Sequence, residues 1–102
     1  MDTLQQNTLI SQDELIPFCH HHHITKLSFF GSVLGDQFGA DSDVDVLVEF
    51  DAQHIPGLIE FIGMEMELTD LLGRKVDLHT SQSLNHHFRD HVIAEARVQY
   101  VT

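Results

Sequence analysis

Apolar residues along this chain follow two rhythms. Val44, Val46, Val48 and Phe50 share one face of an extended run while Asp43, Asp45, Leu47 and Glu49 share the other, which predicts a strand over residues 43 to 50. The run "KLSFF", residues 26 to 30, predicts a short buried strand ended by Gly31, and "KVDLH", residues 75 to 79, predicts a third. Helical spacing takes over between them. Ser11 with Glu14 three residues on has the spacing of a capping box, Leu15, Ile16 and Phe18 supply apolar contacts, and Pro17 falls near the first turns. Pro56-Gly57 opens a segment in which Leu58, Ile62, Leu68 and Leu72 fit a helix stopped by Gly73. Gly63 inside it costs that helix about 1 kcal/mol relative to Ala. Ser83 is placed to cap a last helix, because Leu84, Phe88, Val92, Ala96 and Tyr100 recur every fourth residue.

The expected order is therefore helix, strand, short helix, strand, helix, strand, helix. It implies an α/β (α+β) fold, a small mixed, twisted sheet backed by helices. A single domain over residues 11 to 102 follows a flexible N-terminal ten residues, and Asp51 to His54 is the other segment expected to be loose.

Composition narrows what such a domain can bind. The 102 residues carry a formal charge of −11, and only Lys26, Arg74, Lys75, Arg89 and Arg97 are cationic at neutral pH. Tracking a nucleic-acid backbone needs clustered Lys and Arg to displace counterions, so direct nucleic-acid binding is not expected. An excess of carboxylates suits divalent cations or a basic partner. No run approaches the ~18 apolar residues of a membrane span, which points to a soluble, cytoplasmic protein without a membrane partner. Cys19 is the one cysteine, so neither an internal disulfide nor a multi-thiolate metal site can form. His20 to His23 resemble an affinity tag, yet they lie between a helical pattern and a strand and are read as native.

The chemistry concentrates in "FFGSVLGDQFGADSDVDVLVEF". Residues i and i+2 of a strand project from one face, so Asp43 and Asp45 present adjacent carboxylates that repel unless a cation lies between them. Hard oxygen ligands suit Mg²⁺, which takes one or two protein carboxylates together with water and substrate phosphates. Taken alone, Asp-x-Asp at a strand start reads more often as a solvated turn. Gly31-Ser32 adds a second feature: a turn between strand and short helix whose free N–H groups can hold a phosphate, with Gly31 allowing close approach and Ser32 a hydroxyl donor. Asp77, bracketed by Val76 and Leu78, joins the pair if its strand lies beside residues 43 to 50. Three carboxylates and a phosphate-binding turn are the ingredients of two-metal phosphoryl or nucleotidyl transfer.

Gly31-Ser32, ten residues, then Asp43-Val44-Asp45, with Asp77 on a later strand, resembles the signature of the nucleotidyltransferase superfamily that includes DNA polymerase β. With "LLGRKVDLHT" and a closing helix, the chain from about residue 15 is similar to the minimal nucleotidyltransferase (MNT) antitoxins encoded beside HEPN toxins. The resemblance implies that Asp43 and Asp45 coordinate two Mg²⁺ ions, that Asp77 binds the catalytic one and helps activate the acceptor hydroxyl, and that Gly31 and Ser32 hold the triphosphate of ATP. It implies transfer of AMP to a tyrosine of a HEPN ribonuclease toxin, which silences it, and a homo- or hetero-oligomeric assembly.

This chain departs from the pattern at one place. Members commonly carry an arginine shortly after the Gly-Ser pair, whereas Val33, Leu34 and Gly35 stand here, leaving Lys26, Arg74 or Lys75 to compensate. That departure keeps a rival open, a catalytically silent module that neutralises the toxin by occlusion. A free-standing transferase acting on a small molecule is the third reading, usually built with an additional helical domain. His87 and His91 have the i, i+4 spacing of a helical metal pair but no neighbouring acid motif, and surface histidines are the simpler reading.

Overall fold

The computed structural model describes residues 9–35, 39, 42–87 and 89–102, without the side chains of Ser32 and Val33. Helix α1 (Gln12–His21) leads into strand β1 (Ile24–Phe30), and a 3₁₀ turn, Gly31–Leu34, follows. Strand β2 (Val44–Phe50), helix α2 (Leu58–Leu72) and strand β3 (Val76–Thr80) come next, then helix α3 (Arg89–Glu95) and strand β4 (Arg97–Val101). The sheet is mixed, as expected. Its order is β3-β2-β1-β4, with β1 antiparallel to both neighbours and β2 parallel to β3.

One face of the sheet carries the main core. Val44, Val46 and Val48 pack with Leu27 and Phe29 of β1 and Val76 and Leu78 of β3 beneath Leu15 and Phe18 of α1 and Met64, Leu68 and Leu72 of α2. The other face holds a smaller cluster, Phe30, Leu47 and Leu84, against which Val92 and Ala96 pack. The period-two pattern of residues 43 to 50 thus separates two buried layers, and the carboxylates belong to the smaller one.

α2 does more than cover apolar surface. β3 is an edge strand whose outward N–H groups would otherwise face bulk water. Thr69 Oγ1 accepts from the Val76 N–H at 3.0 Å, and Glu65 Oε2 accepts from the Leu78 N–H at 2.8 Å. These two bonds hold β3, and hence Asp77 between them in sequence, against the helix. Gly73 ends α2 at φ 72°, its N–H donating to the Thr69 carbonyl at 2.9 Å.

The largest departure from the sequence expectation is at the C-terminus. The fourfold spacing of Leu84, Val92, Ala96 and Tyr100 does not form one helix; α3 stops at Glu95 and residues 97 to 101 pair with β1 (Phe88 lies outside the described residues). β1 is buried along most of its length, so an unpaired edge there would leave desolvated N–H and C=O groups without partners. Docking β4 removes that penalty and buries Tyr100 opposite Leu27 in the main core.

Smaller corrections follow the same logic. The Ser11 hydroxyl lies 3.4 Å from Glu14 Oε1 and makes no cap bond to the helix, because the two side chains bond each other. Pro17 is the sixth residue of α1, beyond its first turn, where it leaves the exposed Asp13 carbonyl without a helical donor. Leu58 and Ile62 point outward, and the inward stripe of α2 is Met64, Leu68 and Leu72 with Phe61 and Leu71 partly buried. Ile10 is buried in the core although it falls within the ten residues expected to be flexible; residues 1–8 lie outside the described ones. Residues 51 to 54 form a bonded turn, with the His54 N–H donating to the Asp51 carbonyl and the Gln53 N–H to Asp51 Oδ1, each at 2.9 Å.

Candidate active site

Register brings the predicted site residues together. Asp45 of β2 lies directly beside Asp77 of the parallel β3, and on its other side faces Phe30, the last residue of β1. Gly31 therefore starts its turn against the Asp45 side chain. Its φ of 77° is in the left-handed region, and a Cβ there would collide with Asp45 Oδ2. Both reasons demand glycine, one from the backbone and one from the carboxylate that crowds it. Ser32 follows in the same turn, and its side chain lies outside the described residues.

The carboxylates do not converge on one point. Asp43, just before β2, directs Oδ2 towards Lys75 Nζ at 3.8 Å, and Asp45 directs Oδ1 towards His79 Nε2 at 3.6 Å. Among the described residues no three His, Cys, Asp or Glu side chains form a complete metal ligand set. Mutual repulsion accounts for this, since Asp43 and Asp45 each turn to a cationic or proton-donating neighbour.

The strain of the arrangement shows on Asp45. Its pKa is raised, first by removal from solvent and then by the charges of Asp77 and Asp43, while the charge and hydrogen bond of His79 act in the opposite sense. Clustered carboxylate oxygens against the first residue of a 3₁₀ turn fit a divalent cation carrying phosphate. Asp43, Asp45 and Asp77 are the carboxylates that would hold such an ion, with the remaining positions left to substrate oxygens and water.

His79 is the residue the sequence reading missed. It lies two positions beyond Asp77, on the same face, with its ring edge-on to Phe30 at 5.3 Å between centroids. The available signal was the i, i+2 spacing of Asp77 and His79, the same rule that paired Asp43 with Asp45.

The other candidates sort by position. Lys75 adjoins Asp43, whereas Lys26 lies five residues before Gly31 along β1, about 17 Å away at the rise of an extended strand. Arg74 Nη1 donates to the Gly39 carbonyl at 2.7 Å and so ties Gly39 to the end of α2. His87 precedes α3, so His87 and His91 do not share a helix, in keeping with the simpler reading of surface histidines; His91 lies 3.5 Å from Glu95. Two residues of the histidine run make structural contacts. His22 Nε2 meets Glu67 Oε1 at 2.8 Å, bridging α1 to α2, and His23, at φ 58°, stacks on His54 with centroids 3.8 Å apart. The rings of that stack are nearly parallel at 9°, so their in-plane lone pairs cannot meet at one metal ion.

Comparison with known proteins agrees with this geometry. Residues 13–102 match the family described as polymerase beta nucleotidyltransferase. A Methanocaldococcus jannaschii protein, provisionally named a protein adenylyltransferase, is 31% identical over 83 residues, 81% of this chain and 87% of that one. The protein adenylyltransferase MntA of Thermococcus cleftensis is 43% identical over 61 residues, but the match spans only 60% of either chain. Among solved structures, a toxin–antitoxin crystallised with AMP-PNP superposes with a TM-score of 0.73 at 18% identity, over 91% of this chain and 75% of that one. A complex of the tri-AMPylated Shewanella oneidensis HEPN toxin with its MNT antitoxin gives 0.59 at 18% identity, over all of this chain and 74% of that one. At such identities the likeness is one of fold. The match over most of its length, on a sheet that sets Asp45 and Asp77 beside the Gly31 turn, makes this chain a member of the polymerase β nucleotidyltransferase family.

Proposed function

We propose that this chain is a Mg²⁺-dependent protein adenylyltransferase that acts in the cytoplasm as an antitoxin, moving AMP from ATP to a tyrosine hydroxyl of a HEPN-type toxin. The observation that carries the reading is the contact between Asp45 and the Gly31 turn, which brings a carboxylate against a glycine backbone. It is supported by the relatives named as protein adenylyltransferases and by the fold shared with the MNT partner of an AMPylated HEPN toxin.

In this reading the Gly31 and Ser32 N–H groups hold the triphosphate, and Asp43 and Asp45 hold the metal sites on which its phosphates complete the coordination. Two Mg²⁺ ions, when bound there, lower the pKa of the attacking hydroxyl and neutralise the leaving pyrophosphate. Asp77 orients the acceptor hydroxyl on the same face. The acceptor oxygen forms a bond to the α-phosphorus, the bond from that phosphorus to the bridging oxygen of pyrophosphate breaks, and the hydroxyl proton leaves to solvent. Lys75, exposed beside Asp43, is the cation nearest to the role of the arginine that Val33, Leu34 and Gly35 replace.

That replacement favours one second reading, a domain that binds its toxin without modifying it. Intact-mass spectrometry of the HEPN protein encoded beside this chain, after incubation with the chain, ATP and Mg²⁺, separates the two. A gain of one or more AMP units, absent with the Asp43→Ala, Asp45→Ala double variant, establishes the transferase. An unchanged mass in a complex that still blocks the toxin establishes the silent module.

A further inference from the structure

Helix α2 has a second apolar stripe that the fold does not use. Opposite its buried side stand Ile59, Ile62 and Met66, exposed to 86%, 46% and 64%, and Leu58 extends the patch at 74%. Scattered exposed apolar side chains are ordinary, but these recur at the three- and four-residue spacings that make neighbours on a helix surface.

Gly63 lies within that stripe, four residues after Ile59 and three before Met66. Its φ is not in the left-handed region, and among the described residues nothing stands within 4 Å of where a Cβ would be. Among the described residues, glycine there provides no turn, clearance or contact, while the helix is weakened by it. A glycine that serves nothing within the chain fits a partner backbone approaching closer than a Cβ would permit.

Charge selects the occupant. α2 carries Glu60, Glu65, Glu67 and Asp70 and no Lys or Arg, and the whole chain is at −11. A second copy seated on this face would set carboxylates against carboxylates. A helix with an apolar ridge flanked by Lys and Arg is complementary in both respects.

We propose that the outer face of α2, centred on Ile59, Gly63 and Met66, docks an α-helix of the protein partner, apolar along its ridge and basic at its flanks. The identification of that partner as the HEPN toxin rests on the function proposed above. α2 covers the main core, whereas Asp45 and Asp77 project from the opposite face of the sheet, so holding and modification use separate surfaces. A complex held through α2 persists with the catalytic carboxylates removed.

The test compares wild type, Gly63→Leu, Ile59→Asp and Asp45→Ala for toxin affinity by sedimentation, and for melting temperature and binding of a Mg²⁺ complex of a non-hydrolysable ATP analogue by calorimetry. Gly63→Leu is expected to raise the melting temperature of the isolated chain yet weaken the complex at least tenfold. Ile59→Asp weakens it as much or more. Both keep nucleotide affinity within about twofold, and Asp45→Ala loses nucleotide binding while keeping the complex. Full toxin affinity in the two α2 variants overturns the docking face and leaves the transferase reading standing. A wild-type chain that self-associates, and that Gly63→Leu dissociates, overturns it in favour of a second copy. A wild-type chain that neither binds nor modifies the toxin removes both the proposed function and this partner.

Discussion

Gly31 and Asp45 interlock: the carboxylate of one occupies the space that any side chain on the other would need. Gly31→Ala therefore meets two obstacles, a left-handed backbone that costs an L-residue about 1 kcal/mol and a collision that pushes Asp45 off its position. The expected outcome is a chain that stays folded but binds the Mg²⁺ complex of an ATP analogue at least ~10-fold more weakly, a loss of about 1.4 kcal/mol. Calorimetric titration reads this directly. Unchanged affinity would mean that the turn and the carboxylate do not share a ligand.

The raised pKa of Asp45 gives a pH dependence whose sign can be worked out. The folded chain holds this proton more tightly than the unfolded one, so the group stabilises the fold below about pH 3.9 and that contribution is lost as pH rises through the higher folded value. At neutral pH an ionised Asp45 opposes folding until a cation neutralises it. Asp45→Asn should therefore raise the melting temperature of the metal-free chain at pH 7, and the gain should shrink on acidification. Mg²⁺ with nucleotide should stabilise wild type and leave the variant unchanged. A metal-free variant less stable than wild type would show that burial and the neighbouring Asp charges are outweighed by the His79 contact.

His79 is expected to position Asp45, its Nε2 lying 3.6 Å from Oδ1 while its ring rests edge-on against Phe30. His79→Ala frees the carboxylate to turn. The prediction is a several-fold fall in Mg²⁺ affinity in the presence of nucleotide, with a melting temperature within a few degrees of wild type. His79→Gln, which keeps a donor, should recover part of the affinity. Equal losses in both variants would assign His79 to packing.

The two halves of the site differed in how readable they were. Asp43, Asp45 and Gly31 are legible because a strand has period two and a positive-φ turn needs glycine, both local rules. Asp77 needed the parallel pairing of β2 with β3 to reach Asp45, and the burial problem of a lone Asp between Val76 and Leu78 pointed to it. His79 carried the same spacing signal but no burial conflict. Leu68 and Leu72 of α2 are buried but Leu58 and Ile62 are not, because the helix is apolar on two sides and spacing alone cannot say which side meets the sheet. β4 was hidden for a different reason: "RVQYV" is compatible with strand and helix, and the deciding term is the unpaired edge of β1, which no local pattern records.

That last point carries its own test. If residues 97 to 101 form an edge strand, Tyr100 is a core residue beside Leu27 rather than one position on an amphipathic helix, and its truncation leaves a cavity in the main core. Tyr100→Ala should destabilise the fold by about 3 kcal/mol, read as a shift in the urea midpoint. Hydrogen exchange distinguishes the two geometries independently of magnitude. The Thr102 N–H donates to the Thr25 carbonyl at 3.0 Å, across the sheet, so its protection should disappear with the β1 to β4 pairing. In a helix that amide would answer to a residue four positions earlier. Loss of protection at Thr102 in Tyr100→Ala, with α3 amides between Arg89 and Glu95 unaffected, is the expected result. Concerted loss across residues 84 to 102 would mean that one helix spans the segment after all.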